Sequence, residues 1–236
     1  MAVLSFDKNL VADFESNGFA VIRKAVPDEE ISELANFIES YREENQSALS
    51  AGFRNLLKQK QIREFAYSKT IREIVTTFLN ENAIPVRSIF FDKTPASNWY
   101  VTWHQDLSIA VEKQVDTPGY GPWSTKEGTL HVQPPAAILE QIISLRIHLD
   151  ACPSENGAIK FVFGSHKNGL IDPRDIPNLI EASEPYTCEA ERGDIIIMRP
   201  LILHSSSKST MPDHRRVLHL EYSSAKLPNG LSWTEA

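Results

Sequence analysis

The sequence predicts a mainly β fold, a sandwich, jelly roll or barrel, with α-helices flanking it at the N-terminus. Before about Ile89, apolar residues recur at the three- and four-residue spacing of amphipathic helices. After Ile89, short β-branched and aromatic runs alternate with turn residues, and no helical pattern separates them. This succession is typical of antiparallel sheets that pack on each other, and not of a parallel α/β sheet.

Each predicted helix of the N-terminal third, residues 1–88, carries an apolar stripe and a start or stop signal. The stripes are Phe6, Leu10 and Phe14 in the first helix, Ile31, Leu34, Ile38 and Tyr41 in the second, and Ile71, Ile74, Val75 and Phe78 in the third. Gly18 ends the first helix, Pro27 opens the second and Ser68 caps the third. Between the first two helices, "FAVIRKAV" is a predicted strand.

About eight strands are predicted for the core, residues 89–225. They are "SIFFDK", "WYVTWH", "ISLRIHL", "AIKFVF", "PYTCEA", "DIIIMRP", "LILHSS" and "RVLHLEY". Asn156-Gly157 and Gly193-Asp194 stand directly before two of these runs and are typical of tight antiparallel turns. The strands are therefore expected to form an antiparallel core.

The segment 107–138 interrupts this pattern, because it is rich in Gly, Pro and Trp and is too long for a plain turn. Long insertions in compact domains are often lids or binding loops, so we predict a lid or insertion here. The whole chain, 1–236, is 42% hydrophobic and is expected to form a single domain.

The charge balance indicates the class of partner. Lys and Arg number 24 against 31 Asp and Glu, which leaves a net charge of −7, and no run is rich in Lys or Arg. These numbers argue against nucleic acid or an anionic membrane as partner and favour a small molecule. No apolar run is long enough to span a bilayer. Cys152 and Cys188 are expected to be reduced thiols, and the predicted location is cytoplasmic.

Two His-x-Asp pairs are candidate metal ligands: His104 with Asp106, and His148 with Asp150. In an extended chain, side chains two residues apart point to the same face, about 6.5–7 Å apart, so such a pair can converge on one ion. A related pair, His219 with Glu221, lies in the last predicted strand.

A mononuclear iron site of the facial-triad type needs a second histidine from another strand. His204 is the best candidate, because it ends the apolar run "GDIIIMRPLIL", where a polar residue needs a reason. A hydrogen-bonded histidine at the edge of the core stays an alternative. Four predicted strands lie in the sequence between His104 and His204, whereas Asp150 runs into a turn-like segment, so the first pair is favoured.

Arg215 opens the last predicted strand. An arginine inside a barrel is costly unless it meets an anion, and its planar guanidinium fits a carboxylate. A solvated turn at "HRR" is the alternative interpretation. Arg216 must point to the opposite face, so only one of the two arginines can enter a pocket.

The ordered motifs "WHQD", "GSH", "GDIIIMRPLILHSSS" and "HRRVLHLEY" resemble the phytanoyl-CoA dioxygenase family of iron(II)/2-oxoglutarate oxygenases. The opening "FESNGFAVIRKAVPDEEISEL" is similar to the N-terminal signature of that family. The resemblance spans roughly Leu10 to Tyr222. It implies a double-stranded β-helix core, a jelly roll of the cupin type, with N-terminal flanking α-helices.

By this resemblance, His104, Asp106 and His204 match the iron ligands of the family, and Arg215 matches the arginine that binds the distal carboxylate of 2-oxoglutarate. Ser206 matches a hydroxyl position that assists this arginine. The implied activity is hydroxylation of an unactivated C–H bond of a small metabolite. The reaction requires Fe(II), consumes 2-oxoglutarate and O2, and releases succinate and CO2. The polar residues suggested as substrate contacts are Lys93, His131, Gln133, Ser144, Arg146, His148 and Asp150.

Alternative functions stay open at this point. The presence of Asp106 disfavours halogenation, because halogenases of the family have a small residue in place of the carboxylate ligand. A jelly-roll binding protein without catalysis is one alternative, since a fold does not determine a function. A cupin-type metal-dependent hydrolase or isomerase is another, but it leaves Arg215 without a role.

Overall fold

The computed structural model describes residues 8–45, 52–94, 97–211 and 214–236. The helices are α1 Lys8–Asn17, α2 Asp28–Glu44, α3 Lys60–Ala66, α4 Lys69–Phe78, α5 Ala136–Leu139 and α6 Ile176–Glu181. The first strands are β1 Phe19–Ile22, β2 Gly52–Arg54, β3 Ile84–Lys93, β4 Val101–His104, β5 Ile109–Val111, β6 Trp123–Lys126 and β7 Thr129–Val132. The others are β8 Ile142–His148, β9 Ile159–Phe161, β10 Tyr186–Cys188, β11 Ile195–Met198, β12 His204–Ser206 and β13 Arg215–Ser223.

Two antiparallel sheets form the core. The larger has six strands in the order β1-β11-β8-β13-β3-β2, and the smaller has four in the order β10-β9-β12-β4. They pack face to face through apolar contacts such as that between Phe19 of β1 and Phe161 of β9, whose rings stack 4.2 Å apart. The predicted mainly β fold with a jelly-roll core is therefore confirmed.

The N-terminal helices cover the outer face of the six-stranded sheet. Leu218, Leu220 and Tyr222 of β13 point outward into a core that they share with Ile31 of α2 and Ile74 of α4. Alternate residues of a strand face opposite sides, so the same strand presents its odd-numbered residues to the inside of the jelly roll. Outward residues of β13 therefore pack against the helices, and its inward residues face the space between the sheets.

The predicted helix signals are confirmed where the structure describes them. Helix α1 ends at Asn17 before Gly18, whose φ is +86°, and α2 starts directly after Pro27. Ser68 caps α4, because its hydroxyl oxygen accepts a hydrogen bond from the backbone amide of Ile71. Phe6 of the predicted first stripe lies outside the described residues.

Several predicted strand boundaries are wrong. Strand β3 begins at Ile84 and not at Ile89, so the first 88 residues contribute β1, β2 and half of β3 as well as helices. The run "FAVIRKAV" is a strand only over Phe19–Ile22, because the chain turns at Lys24 with a φ of +49°. His204 begins a strand and does not end one, since a turn at Arg199 separates β11 from β12.

The segment 107–138 is not an irregular loop. Strands β5, β7 and β6 form a three-stranded sheet of their own in that order. The backbone of Val111 bridges to Trp233, and the amide of Glu112 donates to the carbonyl of Ser232, so the C-terminal residues hold this sheet against the core. Closure of the segment as a lid stays a prediction.

None of the helices that the structure describes is both long enough and apolar enough to cross a membrane.

Candidate metal and co-substrate site

A cavity of about 140 Å³ lies between the two sheets of the jelly roll. Its walls combine apolar side chains with a high density of charged and imidazole groups, and both sheets contribute to them. The lining residues are Arg87, Ile89, Phe91, Trp99, Val101, His104, Asp106, Arg146, Ile159, His204, Ser205, Ser206, Arg215, His219 and Glu221.

His104 and His204 lie side by side because β4 and β12 are hydrogen-bonded neighbours with these two residues in register. Nε2 of His104 lies 3.7 Å from one carboxylate oxygen of Asp106, and Nε2 of His204 lies 3.6 Å from the other. Among the described residues, these three form the one group whose ligand atoms all lie within 4.8 Å of one another. The four strands between the histidines in sequence do not separate them in the sheet.

The backbone orients both imidazoles in the same way. Nδ1 of His104 lies 2.8 Å from the carbonyl oxygen of Thr102, and Nδ1 of His204 lies 3.0 Å from that of Ile202. A carbonyl can only accept, so each Nδ1 carries the proton and donates it, which leaves Nε2 with a free lone pair facing Asp106. This tautomer is the one that a metal bound at Nε2 requires.

Gln105, between the two ligand candidates, fixes the motif to the neighbouring loops. Its amide nitrogen donates to the carbonyl oxygens of Gly169 and Leu201, and its oxygen accepts from the amide of Ile171 at 2.9 Å. The amide of Asp106 also donates to the carbonyl of Pro200. The buried side chain of Gln105 therefore joins the segment after His104 to the segment before His204.

The protonation states also suit a metal. Burial lowers the pKa of His204 to about 4, so the imidazole is neutral at pH 7. Burial alone would raise the pKa of Asp106, but the imidazoles of His204 and His104 outweigh it and hold this pKa well below its usual range. A neutral imidazole beside an ionised carboxylate is the state in which both groups bind a cation.

Two nitrogens from adjacent strands and one oxygen from Asp106, just after β4, fit the facial triad of non-heme iron, which leaves positions for other ligands. At metal–ligand distances of about 2.1 Å, adjacent donor atoms lie about 3 Å apart. The measured 3.6 Å and 3.7 Å from Asp106 to the two imidazoles are slightly longer. Small side-chain rotations therefore suffice to bring the three groups onto one ion.

Arg215 and Arg216 point to opposite faces of β13, as predicted. Arg215 lines the cavity, is 3% exposed and has a buried Nε without a hydrogen-bond partner. Arg216 points outward and binds both carboxylate oxygens of Asp150, at 2.7 Å and 2.8 Å, and also Glu39. Of these two neighbouring arginines, only Arg215 is available to an anion inside the jelly roll.

Ser206 and Lys93 lie together beside the cavity. Lys93 is fully buried and donates to the hydroxyl of Ser206 at 2.8 Å and to the carbonyl of Ser207. The hydroxyl of Ser206 in turn donates to the carbonyl of Gly157. Gly157 has a φ of +67° and an added Cβ would lie 2.6 Å from the backbone oxygen of Ser207, so the Asn-Gly turn here needs glycine.

The residues predicted to contact the substrate lie in different places in the structure. Arg146 lines the cavity, whereas Lys93, His131 and Gln133 do not. His131 lies in β7, where its Nδ1 donates to the carbonyl of Thr129, and Gln133 follows the same strand. Contact of Lys93, His131 and Gln133 with the substrate stays a prediction.

The second His-x-Asp pair does not converge. Strand β8 ends at His148, which is buried inside the jelly roll together with Ser144, and neither residue lines the cavity. Beyond the strand, Asp150 binds the backbone amide and the guanidinium of Arg216 on the outside. Strands β4 and β8 both end at their histidine, so the contacts of each aspartate make the difference. The amide of Asp106 is held by the carbonyl of Pro200 beside the metal ligands, whereas Asp150 is held by Arg216 on the outer face.

A charged cluster in the cavity was not predicted as part of the site. Arg87 donates to Glu221 at 3.0 Å, and Nε2 of His219 lies 3.3 Å from the same oxygen. The signal was the spacing of two along the last strand, which puts His219 and Glu221 on the same inner face as Arg215. Nothing in the sequence pairs Arg87 with a residue 134 positions away.

Solved structures with the same fold are many. The non-heme alpha ketoglutarate dependent carbocyclase SnoK from nogalamycin biosynthesis is 13% identical, with a TM-score of 0.73 over 98% of this chain and 87% of its own. HygX from Streptomyces hygroscopicus, with nickel and 2-oxoglutarate bound, is 15% identical, with a TM-score of 0.70 over 93% and 87% of the two chains.

EctD from S. alaskensis with bound Fe is 13% identical, with a TM-score of 0.71 over 92% of this chain and 76% of its own. At these identities the likeness establishes the fold. No curated protein sequence matches the chain significantly. The sequence model of the family described as phytanoyl-CoA dioxygenase (PhyH) matches residues 14–217, which is most of the chain, and this protein therefore belongs to that family.

Proposed function

We propose that this protein is an iron(II)- and 2-oxoglutarate-dependent dioxygenase that hydroxylates an unactivated C–H bond of a small-molecule metabolite. One observation carries the proposal. His104, Asp106 and His204 present three convergent ligand atoms in a cavity that also contains Arg215, a buried arginine without a carboxylate partner among the described residues. A metal and a dicarboxylate together satisfy both features.

The residues of the chain divide the work of binding. His104 and His204 hold iron(II) through Nε2 while their Nδ1–H groups stay bonded to backbone carbonyls, and Asp106 supplies the anionic ligand. Arg215 binds the distal carboxylate of 2-oxoglutarate through its guanidinium. When bound, iron and 2-oxoglutarate supply the oxidation by O2 that yields succinate, CO2 and a hydroxylated product.

Apolar walls favour chemistry on a C–H bond. Ile89, Phe91, Val101 and Ile159 line the cavity beside the triad, and Trp99 joins them. Such a wall limits the access of water to the reacting carbon, which protects the oxidant from side reactions. Comparable structures include a protein named a carbocyclase, so the nature of the product is part of the proposal and needs its own measurement.

The competing functions explain less of the site. A metal-dependent hydrolase accounts for the triad but gives no role to Arg215, and a binding protein without catalysis requires neither. A cytoplasmic location also stays a prediction, with which the free, buried thiols of Cys152 and Cys188 are compatible.

The test is turnover of 2-oxoglutarate by the full chain after anaerobic loading with iron(II). We expect one iron per chain, slow release of succinate when O2 is admitted and faster release with a substrate from a metabolite screen. Protein loaded with zinc is the matched control and should release none. Mass spectrometry of the product should show one added oxygen atom. Tightly bound zinc in the purified protein, with no affinity for 2-oxoglutarate after iron loading, would refute the proposal.

A further inference from the structure

Arg146 is a second buried arginine of the cavity. It lies in the middle of β8, where its Cα pairs with Ile196 of β11 on one side and His219 of β13 on the other. Its side chain is 8% exposed and lines the same cavity as His204 and Arg215. It therefore projects from the centre of the larger sheet toward the space between the sheets.

The guanidinium of Arg146 forms no hydrogen bond and no ion pair with any residue that the structure describes, and its Nε is buried without a partner. Its Cζ lies 5.6 Å from the centroid of the Phe91 ring. Burial and the nearby charge of Arg215 lower the pKa of Arg146 to about 10, which leaves it charged at neutral pH. A buried charge without a counter-charge is strongly unfavourable.

Other buried or half-buried arginines of the same sheet have carboxylate partners. Arg87 meets Glu221 in the cavity, and Arg216 meets Asp150 on the outside. Arg215 shares the unpaired state of Arg146, but the proposed function assigns it the distal carboxylate of 2-oxoglutarate. Asp106 also lines the cavity, but the proposed function assigns its charge to the metal. With Asp106 on the metal, Glu221 on Arg87 and the distal carboxylate on Arg215, the guanidinium of Arg146 has no counter-charge.

The two unpaired arginines lie at different heights of the sheet. Arg146 is level with His219, four residues along β13 from Arg215, which corresponds to about 13 Å of strand. The positive charge of Arg146 acts on His204, and Asp106 acts on Arg146, so Arg146 lies near the metal ligands. This distance separates the two Cα positions, whereas the guanidiniums are near enough for the charge of Arg215 to lower the pKa of Arg146. The carboxylate expected at Arg146 therefore lies on the metal side of the one at Arg215.

We infer that Arg146 is a second carboxylate-binding residue of the cavity, on the side of the metal triad. The inference rests on the proposed function for the identity of its ligand. A carboxylate at this place has two sources: the carboxylate of 2-oxoglutarate next to its keto group, or a carboxylate of the primary substrate, which is then an organic acid. The planar guanidinium suits either one through paired hydrogen bonds.

The first arm of the test is the stability of the ligand-free protein. Arg146→Met keeps a long side chain on Phe91 and removes the charge, so the melting temperature should stay the same or rise. Arg216→Met is the matched control on the next strand, and its melting temperature should fall because Asp150 and Glu39 lose their partner. A fall for Arg146→Met as large as that of the control indicates a structural arginine and overturns the inference.

The second arm is a titration of 2-oxoglutarate into the anaerobic iron(II) protein, followed by the visible charge-transfer band of the chelate. If 2-oxoglutarate supplies the carboxylate, Arg146→Met should raise its dissociation constant at least about 10-fold, as expected for loss of a charge-assisted hydrogen bond. Arg146→Lys, which keeps the charge, should recover part of this loss. An unchanged constant excludes 2-oxoglutarate as the source of the carboxylate, and the third arm then tests Arg146 with a carboxylate other than 2-oxoglutarate.

The third arm uses acetate as the smallest carboxylate and acetamide as its neutral counterpart. With metal-free protein, acetate should raise the melting temperature more than acetamide, and Arg146→Met should reduce this difference. This arm stays decisive if the wild type does not bind 2-oxoglutarate, a result that refutes the proposed function alone. Equal effects of acetate on wild type and Arg146→Met, together with an unchanged 2-oxoglutarate constant, overturn the inference.

Discussion

The two faces of the six-stranded sheet differ in whether their arginines have carboxylate partners. On the outer face, Arg216 binds Asp150 and Glu39, and Asp92 binds Arg42 and His214. On the inner face, Arg87 is paired with Glu221, but Arg146 and Arg215 have no carboxylate partner among the described residues, and both line the cavity. Adjacent residues of one strand thus differ completely in their environment.

The difference separates structural charges from charges kept for ligands. An ion pair at the surface contributes modestly to the free energy of unfolding, so its loss should not disturb the cavity. An unpaired buried charge lowers the stability of the empty protein, and a ligand that supplies the counter-charge removes this cost. The position of a charged residue on the inner face is therefore a better indicator of a ligand contact than its residue type.

The largest expected effect distinguishes the two His-x-Asp pairs. Asp106→Ala removes the anionic ligand from the triad and should lower coupled turnover by roughly 1000-fold or more, since groups that act as a unit fail together. Iron should still bind, more weakly, through His104 and His204. Iron stoichiometry and succinate release under matched folding measure both effects.

The control for this variant is Asp150→Ala, which removes the outer partner of Arg216. It should keep the iron site and turnover and lose about 1 kcal/mol of the free energy of unfolding. Loss of iron from Asp150→Ala, with full turnover by Asp106→Ala, would show that the inner and outer roles are reversed.

The second prediction compares the neighbouring arginines. Arg215→Ala should weaken 2-oxoglutarate binding by about 2–4 kcal/mol, because the distal carboxylate is left buried and unpaired. Iron binding should survive. Arg216→Ala should leave the dissociation constant of 2-oxoglutarate unchanged within a factor of about two, since that side chain lies outside. Isothermal titration of 2-oxoglutarate into both variants measures these constants. Weaker binding by Arg216→Ala and unchanged binding by Arg215→Ala would mean that the two faces of β13 are assigned the wrong way round.

A smaller effect is expected from Gln105, which touches no ligand atom of the triad. Gln105→Ala removes three hydrogen bonds that join the loop after β4 to the loops that contain Gly169 and Leu201. Iron affinity should fall by about 10-fold, as for other residues that orient metal ligands. Gln105→Glu, of the same shape, cannot donate to those carbonyls and should behave similarly. Unchanged iron affinity in both variants would remove Gln105 from the site.

The smallest effect on the site is expected from a buried residue that has an unpartnered polar atom but does not line the cavity. His131 is buried with an unpartnered Nε2 but lies outside the cavity, so His131→Gln should leave iron and 2-oxoglutarate affinities unchanged. Burial lowers its pKa to about 4 from 6.5, so the unfolded chain takes up the proton first as pH falls. The stability that His131 contributes is complete above pH 6.5 and is lost as pH falls toward 4.

His131→Gln should therefore flatten the dependence of the unfolding free energy on pH between 6.5 and 4 by up to about one proton. Urea denaturation at a series of pH values measures this slope. An unchanged slope would contradict the neutral, buried state of His131, and a loss of 2-oxoglutarate affinity would place it in the site.

The sequence predicted the parts of the site that follow from local spacing. The two-residue period separates Arg215 from Arg216, as the geometry of extended chains requires. The same spacing predicted the pairing of His104 with Asp106, although Asp106 lies just beyond the end of β4 and its amide is held by the carbonyl of Pro200. The clamp of Gln105 was not predictable, because its partners belong to two distant loops. The same holds for Arg87 and Glu221, which only the assembled sheet brings together.

The errors in the fold have local causes. Pro85 lies inside β3, opposite Tyr222 and next to an irregularity in the pairing, so the sequence there looks like a loop. The run "GDIIIMRPLIL" looks like one strand, but the amide of Ile202 bonds back to the carbonyl of Arg199 and turns the chain. In both places the hydrophobic pattern continues through a change in backbone direction.

The most direct test of the central claim is a crystal structure of the protein grown anaerobically with iron(II) and 2-oxoglutarate. The claim requires one metal ion bound to Nε2 of His104, Nε2 of His204 and the carboxylate of Asp106, with a carboxylate of 2-oxoglutarate on the guanidinium of Arg215. The Arg216–Asp150 pair on the outer face should stay as it is. A metal bound elsewhere, or a cavity in which 2-oxoglutarate leaves Arg215 unpaired, would contradict the claim that the inner face keeps its charges for ligands.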